Sequence, residues 1–198
     1  MIYAMRFTNV VRKDKVTLEH KAGRFLIKYG LMKEYGIDLS DCTILKNEHG
    51  KPYLKEYPDI YFNISHCKAM VICVFGNAPV GIDVESRRIC KESLMKRVLT
   101  KEEFETVKAS DDDIDFFRYW TLKEAYGKAV GVGILYDYAS MTFKVTDGNI
   151  ICPDNEYRIW QKTLDSEIVI SVCRKQNEEF EETIDFLELD YNELEEDE

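Results

Sequence analysis

The chain has 198 residues, 45% of them hydrophobic and 12% aromatic, enough for a sizeable core in one domain or two small ones. Its formal net charge of −10 argues against a general nucleic-acid binder. No apolar run is long enough to span a membrane, and the N-terminus lacks the apolar stretch of a signal peptide.

The charge is unevenly spread. From Glu178 onward there are twelve acids and no Lys or Arg, which leaves 25 acids against 27 basic residues in the rest. That body is close to neutral, and its local basic patches decide which anions it meets. Six cysteines (Cys42, Cys67, Cys73, Cys90, Cys152 and Cys173) lack any C-x-x-C spacing. They argue against a zinc site and predict buried thiols in a reducing cytoplasm. Three histidines leave little material for a His-rich metal centre.

In chain order, Met1 to Thr8 alternates loosely and reads as a first strand. Val16 to Tyr35 is helical, with Ala22, Phe25, Leu26, Tyr29 and Met32 at helical steps and Gly36 at its end. Lys21, Arg24 and Lys28 lie on its polar side, either as a solvated basic face or as a site for an anion. Asn47 to Tyr53 is a turn punctuated by Gly50 and Pro52. No P-loop spacing surrounds Lys51, which is either an ordinary turn lysine or one aimed at a phosphate. Ile60 to Ile64 reads as a buried strand that runs into Ser65 and His66. These two are either a cap and a surface histidine or polar groups at a site.

Ala69 to Phe75 is continuously apolar and reads as a central strand. After a turn at Gly76 to Pro79, Val80 to Glu85 alternates with period two. Val80, Ile82 and Val84 face one way, and Gly81, Asp83 and Glu85 the other. Two carboxylates on one strand face repel each other unless a cation or base lies between them. Arg87 to Lys108 is basic and then mixed, with an apolar stripe at Leu94, Val98 and Leu99. Thr100 to Glu103 has the pattern of a helix-opening capping box.

An acidic loop at Ser110 to Asp115 leads into a helix around Phe117 to Lys128, ending at Gly131-Val132-Gly133. Trp120, Glu124, Gly127, Lys128 and Gly131 share one face of it. Glu124 and Lys128, one turn apart, are either a surface ion pair or part of a phosphate and metal site. Met141 to Val145 and Ile168 to Val172 read as strands, with a hairpin turn at Asp147-Gly148. Glu182 to Leu189 reads as a last strand before a mobile acidic end.

The carboxylates Asp83, Glu85 and Glu124 form an oxygen-only donor set suited to Mg²⁺. With Lys51, Lys128 and His66 available for a diphosphate, the composition points to metal-assisted transfer of a phosphorylated group. Gly81-Ile82-Asp83-Val84-Glu85, followed by Trp120-Thr121-Leu122-Lys123-Glu124-Ala125-Tyr126-Gly127-Lys128, resembles the double signature of 4′-phosphopantetheinyl transferases. Phe62-Asn63-Ile64-Ser65-His66 and Gly50-Lys51-Pro52 match in the same order. The resemblance is to the larger, surfactin-synthetase-activating type rather than the short trimeric synthases. It extends from about Val16 to the late strands.

The resemblance implies an α+β fold of two pseudo-symmetric α/β halves with mainly antiparallel sheets. Coenzyme A would lie in the cleft between them, and the linker near Pro79. Residues 1–79 would carry coenzyme A-binding elements. Residues 80–198 would carry the metal-binding and carrier-docking elements and the acidic tail. Asp83, Glu85 and Glu124 are expected to hold Mg²⁺ against the coenzyme A diphosphate, which also brings Asp83 beside the coenzyme. Lys128 would touch phosphate oxygens, Ser65 and His66 the 3′-phosphate or diphosphate region, and Lys51 the adenosine end. For the basic contact from the first long helix, Lys21 is preferred to Arg24. Glu103 falls where the family carries a glutamate, so it is open to a catalytic or a capping role. Thr121 replaces the usual serine or cysteine after the tryptophan.

The implied reaction is attack by a carrier-protein serine on the β-phosphate of coenzyme A, releasing adenosine 3′,5′-bisphosphate. This is a holo-[acyl-carrier-protein] synthase activity on an acyl or peptidyl carrier. Glu124 and Lys128 are its expected catalytic residues. The basic run Arg87, Arg88, Lys91, Lys96 and Arg97, with Leu94 and Met95, is the expected docking face for an acidic carrier. A cytoplasmic monomer is expected, with no nucleic-acid or membrane partner. The alternatives are a different Mg²⁺-dependent phosphotransferase and a non-catalytic carrier- or coenzyme A-binding protein. Lack of a P-loop or kinase signature argues against the first, and the intact Asp83, Glu85, Glu124 and Lys128 against the second.

Overall fold

The computed structural model describes residues 1–7, 15–110, 112–132, 137–146, 149–177 and 182–188. The predicted turn at Asp147-Gly148, the helix end at Gly133 and the acidic stretch from 189 onward lie outside the described residues.

Two mainly antiparallel sheets, each with a long helix on its outer face, form four layers. The first sheet is ordered β11-β1-β5-β4 and contains β1 (Ile2–Arg6), β4 (Tyr61–His66), β5 (Met70–Gly76) and β11 (Ile184–Phe186). Its β11–β1 pair is parallel, so a late strand returns to the sheet begun by the first residues. Helix α1 (Lys15–Tyr35) covers its outer face. Leu18, Ala22, Leu26 and Leu31 of α1 meet Tyr3, Phe62, Val71 and Phe75 in one core. Met32, predicted for the buried stripe, is half exposed instead.

The second sheet is ordered β6-β10-β9 and contains β6 (Val80–Ser86), β9 (Tyr157–Leu164) and β10 (Ile168–Lys175). Helices α2 (Glu92–Val98) and α3 (Lys101–Ala109) precede α4 (Ile114–Val130), which lies on the outer face. The predicted alternation of β6 is realised. Val80, Ile82 and Val84 join Ile170 and Val172 of β10 and Ile2, Ile72 and Val74 of the first sheet in the central core. Burying each such side chain stabilises by about 1.5–3 kcal/mol, so the apolar seam between the sheets is a large part of what unites the halves.

Two small hairpins complete the chain: β2 (Ile44–Lys46) with β3 (Pro52–Leu54), and β7 (Lys144–Thr146) with β8 (Asn149–Ile151). The strand predicted from Met141 starts only at Lys144. The reason is local: the Phe143 amide donates to the Glu103 carboxylate and the Met141 carbonyl accepts from Lys123, so side chains take the place of a ladder. The capping box forms as predicted, with Thr100 Oγ1 accepting from the Glu103 amide and Glu103 accepting from the Thr100 amide.

The sheets meet at β4 and β6, each an edge strand of its own sheet. Here the connection is made by side chains. Asn63 Oδ1 accepts from the Ile82 amide at 2.9 Å, and Ser65 Oγ accepts from the Val84 amide at 3.3 Å.

On its other face, β6 meets the α4 backbone directly at Gly81. A Cβ there would lie 2.1 Å from the Ala125 carbonyl oxygen and 2.4 Å from the Ala129 amide nitrogen. Neither backbone atom can move without moving the helix. Gly81→Ala is therefore expected to destabilise the fold by about 3 kcal/mol. By circular dichroism this is a Tm lower by several degrees; an unchanged Tm would mean that the helix can lift off at little cost.

Candidate active site

The contact at Gly81 places the last two turns of α4 over Asp83. Lys128 Nζ donates to Asp83 Oδ1 at 2.7 Å, to Ser65 Oγ at 3.1 Å and to the Ile82 carbonyl at 3.1 Å. Ser65 Oγ in turn donates to Asp83 Oδ1 at 2.9 Å. Asp83 is only 6% exposed. Its Oδ2 is buried and has no hydrogen-bond partner. A buried carboxylate oxygen in that condition is costly unless something positive meets it.

Glu124 stands one turn before Lys128. Its carboxyl is held above the usual range, first by burial and then by the negative charge of Asp83, with a smaller push from Glu85. Lys128 and a hydrogen bond with Tyr138 act in the opposite direction. Tyr138 opens a short 3₁₀ turn, Tyr138–Ser140. Gly127 makes room for it, because a Cβ there would lie 2.9 Å from the Tyr138 hydroxyl. The open space at Gly127 is thus taken by a tyrosine.

That turn is held by an ion pair which the sequence reading did not include. Lys123 Nζ lies 2.6 Å from Glu103 Oε2, and the two side chains are 0% and 1% exposed. Lys123 also donates to the Tyr138 and Met141 carbonyls, each at 2.7 Å. Burial pushes the Lys123 ammonium down, and Glu103 opposes the shift. Glu103 is therefore a capping and anchoring residue away from the cleft. The available signal was weak: Lys123 falls on the same helix side as Tyr119 and Tyr126, away from the Glu124–Lys128 face, where a buried lysine needs a buried acid.

Glu85 is turned to Arg88, whose guanidinium donates to its two oxygens at 2.6 and 3.3 Å and stacks on Phe117 at 4.5 Å. Among the described residues, no three His, Cys, Asp or Glu side chains gather closely enough to hold a metal ion. Of the expected ligands, Asp83 pairs with Lys128 and Glu85 with Arg88, while Glu124 lies within electrostatic range of both carboxylates. The donor chemistry still fits a hard divalent cation. Asp83 Oδ2 is an orphaned acceptor, and Asp83 and Glu124 repel each other across a gap that positive charge would relieve.

A cleft of about 220 Å³ opens beside these groups. His49–Pro52, Asn63 and Ile64 wall one side, and Glu124, Lys128 and Tyr138 the other. Ser65 lies just below it in the Asp83 network. His66 does not join Ser65, because successive residues of β4 point to opposite faces. It faces α1, where its Nδ1 lies 3.5 Å from Glu19. Lys21 is half-buried on α1 and Arg24 is exposed, and neither lines the cleft. Lys51 lines it, but its ammonium donates to three backbone carbonyls. Thr121 is fully buried and hydrogen-bonds Ser171 at 2.8 Å, so its hydroxyl braces α4 on β10.

The profile of the 4′-phosphopantetheinyl transferase superfamily matches residues 79–178, the segment that carries Asp83, Glu85, Glu124 and Lys128. The chain belongs to this superfamily. It is 32% identical over 159 residues to the 4′-phosphopantetheinyl transferase Sfp of Bacillus subtilis (strain 168), covering 76% of this chain and 71% of the relative. It is 31% identical over 146 residues to the mouse L-aminoadipate-semialdehyde dehydrogenase-phosphopantetheinyl transferase, covering 65% of this chain and 47% of that one. The holo-[acyl-carrier-protein] synthase structure of Thermotoga maritima overlaps 50% of this chain and 64% of its own, at 22% identity and a TM-score of 0.41.

In this phosphopantetheinyl transferase the raised Glu124 carboxyl has a measurable consequence. A carboxyl raised above its unfolded value favours the folded chain at low pH, and that contribution is lost as pH rises through the folded value. At neutral pH the ionised group weighs against folding. In EDTA at about pH 7, Glu124→Gln is expected to melt at a higher temperature than the wild type, with the gap closing on acidification. Thermal melts across pH check this; a lower Tm for the variant would mean that Lys128 and Tyr138 overcome the burial.

Proposed function

We propose that the chain transfers 4′-phosphopantetheine from coenzyme A to a serine hydroxyl of an apo acyl or peptidyl carrier protein, the holo-[acyl-carrier-protein] synthase reaction. The supporting observation is the Lys128–Asp83–Glu124 constellation at the floor of a cleft between the halves. In this reading residues 1–79 supply one wall and residues from 80 onward the catalytic groups.

The serine oxygen forms a bond to the β-phosphorus, and the bond from that phosphorus to the oxygen of adenosine 3′,5′-bisphosphate breaks. Lys128 carries the positive charge that meets the phosphate oxygens, and Asp83 and Ser65 hold its ammonium in place. Asp83 and Glu124, with Glu85, would hold Mg²⁺, which would neutralise the coenzyme A diphosphate and steady the adenosine bisphosphate leaving group. The serine proton passes to Glu124 directly or through a water. Holding a cation lowers the basicity of a carboxylate, so the two roles of Glu124 compete, and we assign the ligand role first. Ser65 reaches the diphosphate end through Lys128. We assign His66, Lys21 and Arg24 to the rim on the α1 side, where a 3′-phosphate would meet basic charge.

The carrier is proposed to dock on the basic run. Arg87 pairs with Asp112 at 3.0 Å and Lys96 with Glu92 at 2.7 Å, whereas Arg97 makes no ion pair among the described residues. The apolar help comes from another residue than expected. Met95 is core and Leu94 leans on the α4 core, while Ile89 is 88% exposed beside Arg88. A single chain that provides both cleft walls is consistent with a monomer. The described cysteines are all free, in keeping with a cytoplasmic setting, and no described helix is long and apolar enough to cross a membrane.

Intact mass spectrometry of an apo acyl carrier protein, incubated with the chain, coenzyme A and Mg²⁺, tests the reaction. The expected gain is about 340 Da, absent with EDTA or with Glu124→Ala. Coenzyme A binding without any gain across several carriers would favour a non-catalytic protein. Arg97→Glu is expected to raise KM for the carrier several-fold and leave coenzyme A affinity alone; an unchanged carrier KM would remove this face from the docking surface.

A further inference from the structure

Lys51 was expected at the adenosine end of the coenzyme, and the structure gives its ammonium different partners. The turn before it is tightly held. Asn47 Oδ1 accepts from the His49 and Lys51 amides at 3.0 and 2.9 Å, and the Asn47 amide donates to the Lys51 carbonyl at 3.0 Å. Gly50 takes a φ of +82°, which an L side chain rarely adopts. From this fixed base the side chain crosses the edge of the cleft to α4. Its Nζ donates to the Lys128 carbonyl at 2.6 Å, the Val80 carbonyl at 3.0 Å and the Ala129 carbonyl at 3.4 Å.

An ammonium has three protons, and three acceptors meet it. Two of them belong to the last turn of α4, where carbonyls lack intrahelical partners and the helix dipole is negative. The third belongs to β6, one residue before Gly81. Burial lowers the ammonium to about 8, which fits a group that has left water for these carbonyls.

We propose that Lys51 is a positioning residue: it caps α4 from the β2–β3 hairpin and fixes the Lys128 backbone against β6, and with it the span of the cleft. Its carbonyl contacts hold the residue whose ammonium meets Asp83 on the other side. This role differs from that of a phosphate ligand, and it makes the hairpin part of the catalytic frame.

The first test uses the protein alone, without coenzyme. Amide hydrogen exchange is followed at Gly131 and Val132, whose amides bond the Gly127 carbonyl at 2.9 and 3.2 Å. Lys51→Met and the milder Lys51→Gln are expected to speed exchange there by about tenfold or more, with the first turns of α4 unchanged. The second test rests on the transferase reading. Lys128→Ala is expected to lower kcat by about 10²–10³. If Lys51 acts through Lys128, adding Lys51→Met to Lys128→Ala lowers kcat little further. Lys51→Met alone then weakens coenzyme A and dephospho-coenzyme A by the same factor. Unchanged exchange at Gly131 and Val132 would overturn the proposal. So would losses that multiply and that spare dephospho-coenzyme A, the signature of a phosphate contact. If the wild type transfers nothing, the functional reading fails, and exchange still decides the role of Lys51.

Discussion

Everything at the site depends on how closely α4 lies on β6. At Gly81 helix backbone meets strand backbone with no side chain between them. That contact lets the short carboxylate of Asp83 reach the ammonium of Lys128 and puts Glu124 within electrostatic range of both. A helix at ordinary packing distance would leave these groups to water, where a carboxylate pair would hardly perturb itself. Glycine in a strand is unfavourable in isolation, but here it sets the geometry of the whole cluster.

Around that contact the chain arranges counter-charges in two tiers. Lys128 and Arg88 neutralise Asp83 and Glu85 at the surface of the site. Beneath them the Lys123–Glu103 pair orders the 138–143 segment and so delivers Tyr138 to Glu124. A buried ion pair is weak evidence for stability, because desolvation offsets attraction. What this one provides is register: its donors and acceptors are all used, and any slip of the segment would leave a buried ammonium unpaired.

The sequence was most readable where one interaction decides the outcome. Period-two alternation gave the faces of β6, helical spacing put Glu124 and Lys128 on one face of α4, and the Thr100–Glu103 pattern gave the capping box. Readability failed where a side chain had two competing uses. His66 and Ser65 are adjacent in sequence, and only the pleat of β4 reveals that they serve different halves. Lys51 looked like a turn lysine or a phosphate ligand, because a helix end 77 residues away in sequence leaves no mark beside it. Strand β9 mixes polar and charged residues with Ile159, Trp160 and Leu164 and has half-buried positions on both faces, so it lacks the alternation by which strands are recognised. Strands β2 and β3 have three residues each, too short to show any period.

The seam between β4 and β6 has a mechanical meaning. Strands joined by a full ladder of backbone bonds move as one plate. These two are joined instead by single side-chain bonds from Asn63 and Ser65 to backbone amides of β6. The two sheets are therefore set at this joint, as leaves on a pin, by two side chains backed by a shared apolar core. The pin is not inert, since the Ser65 hydroxyl that bridges the leaves also holds Asp83 and receives Lys128. One hydroxyl thus ties the packing of the two sheets to the placement of the charged groups at the bottom of the cleft.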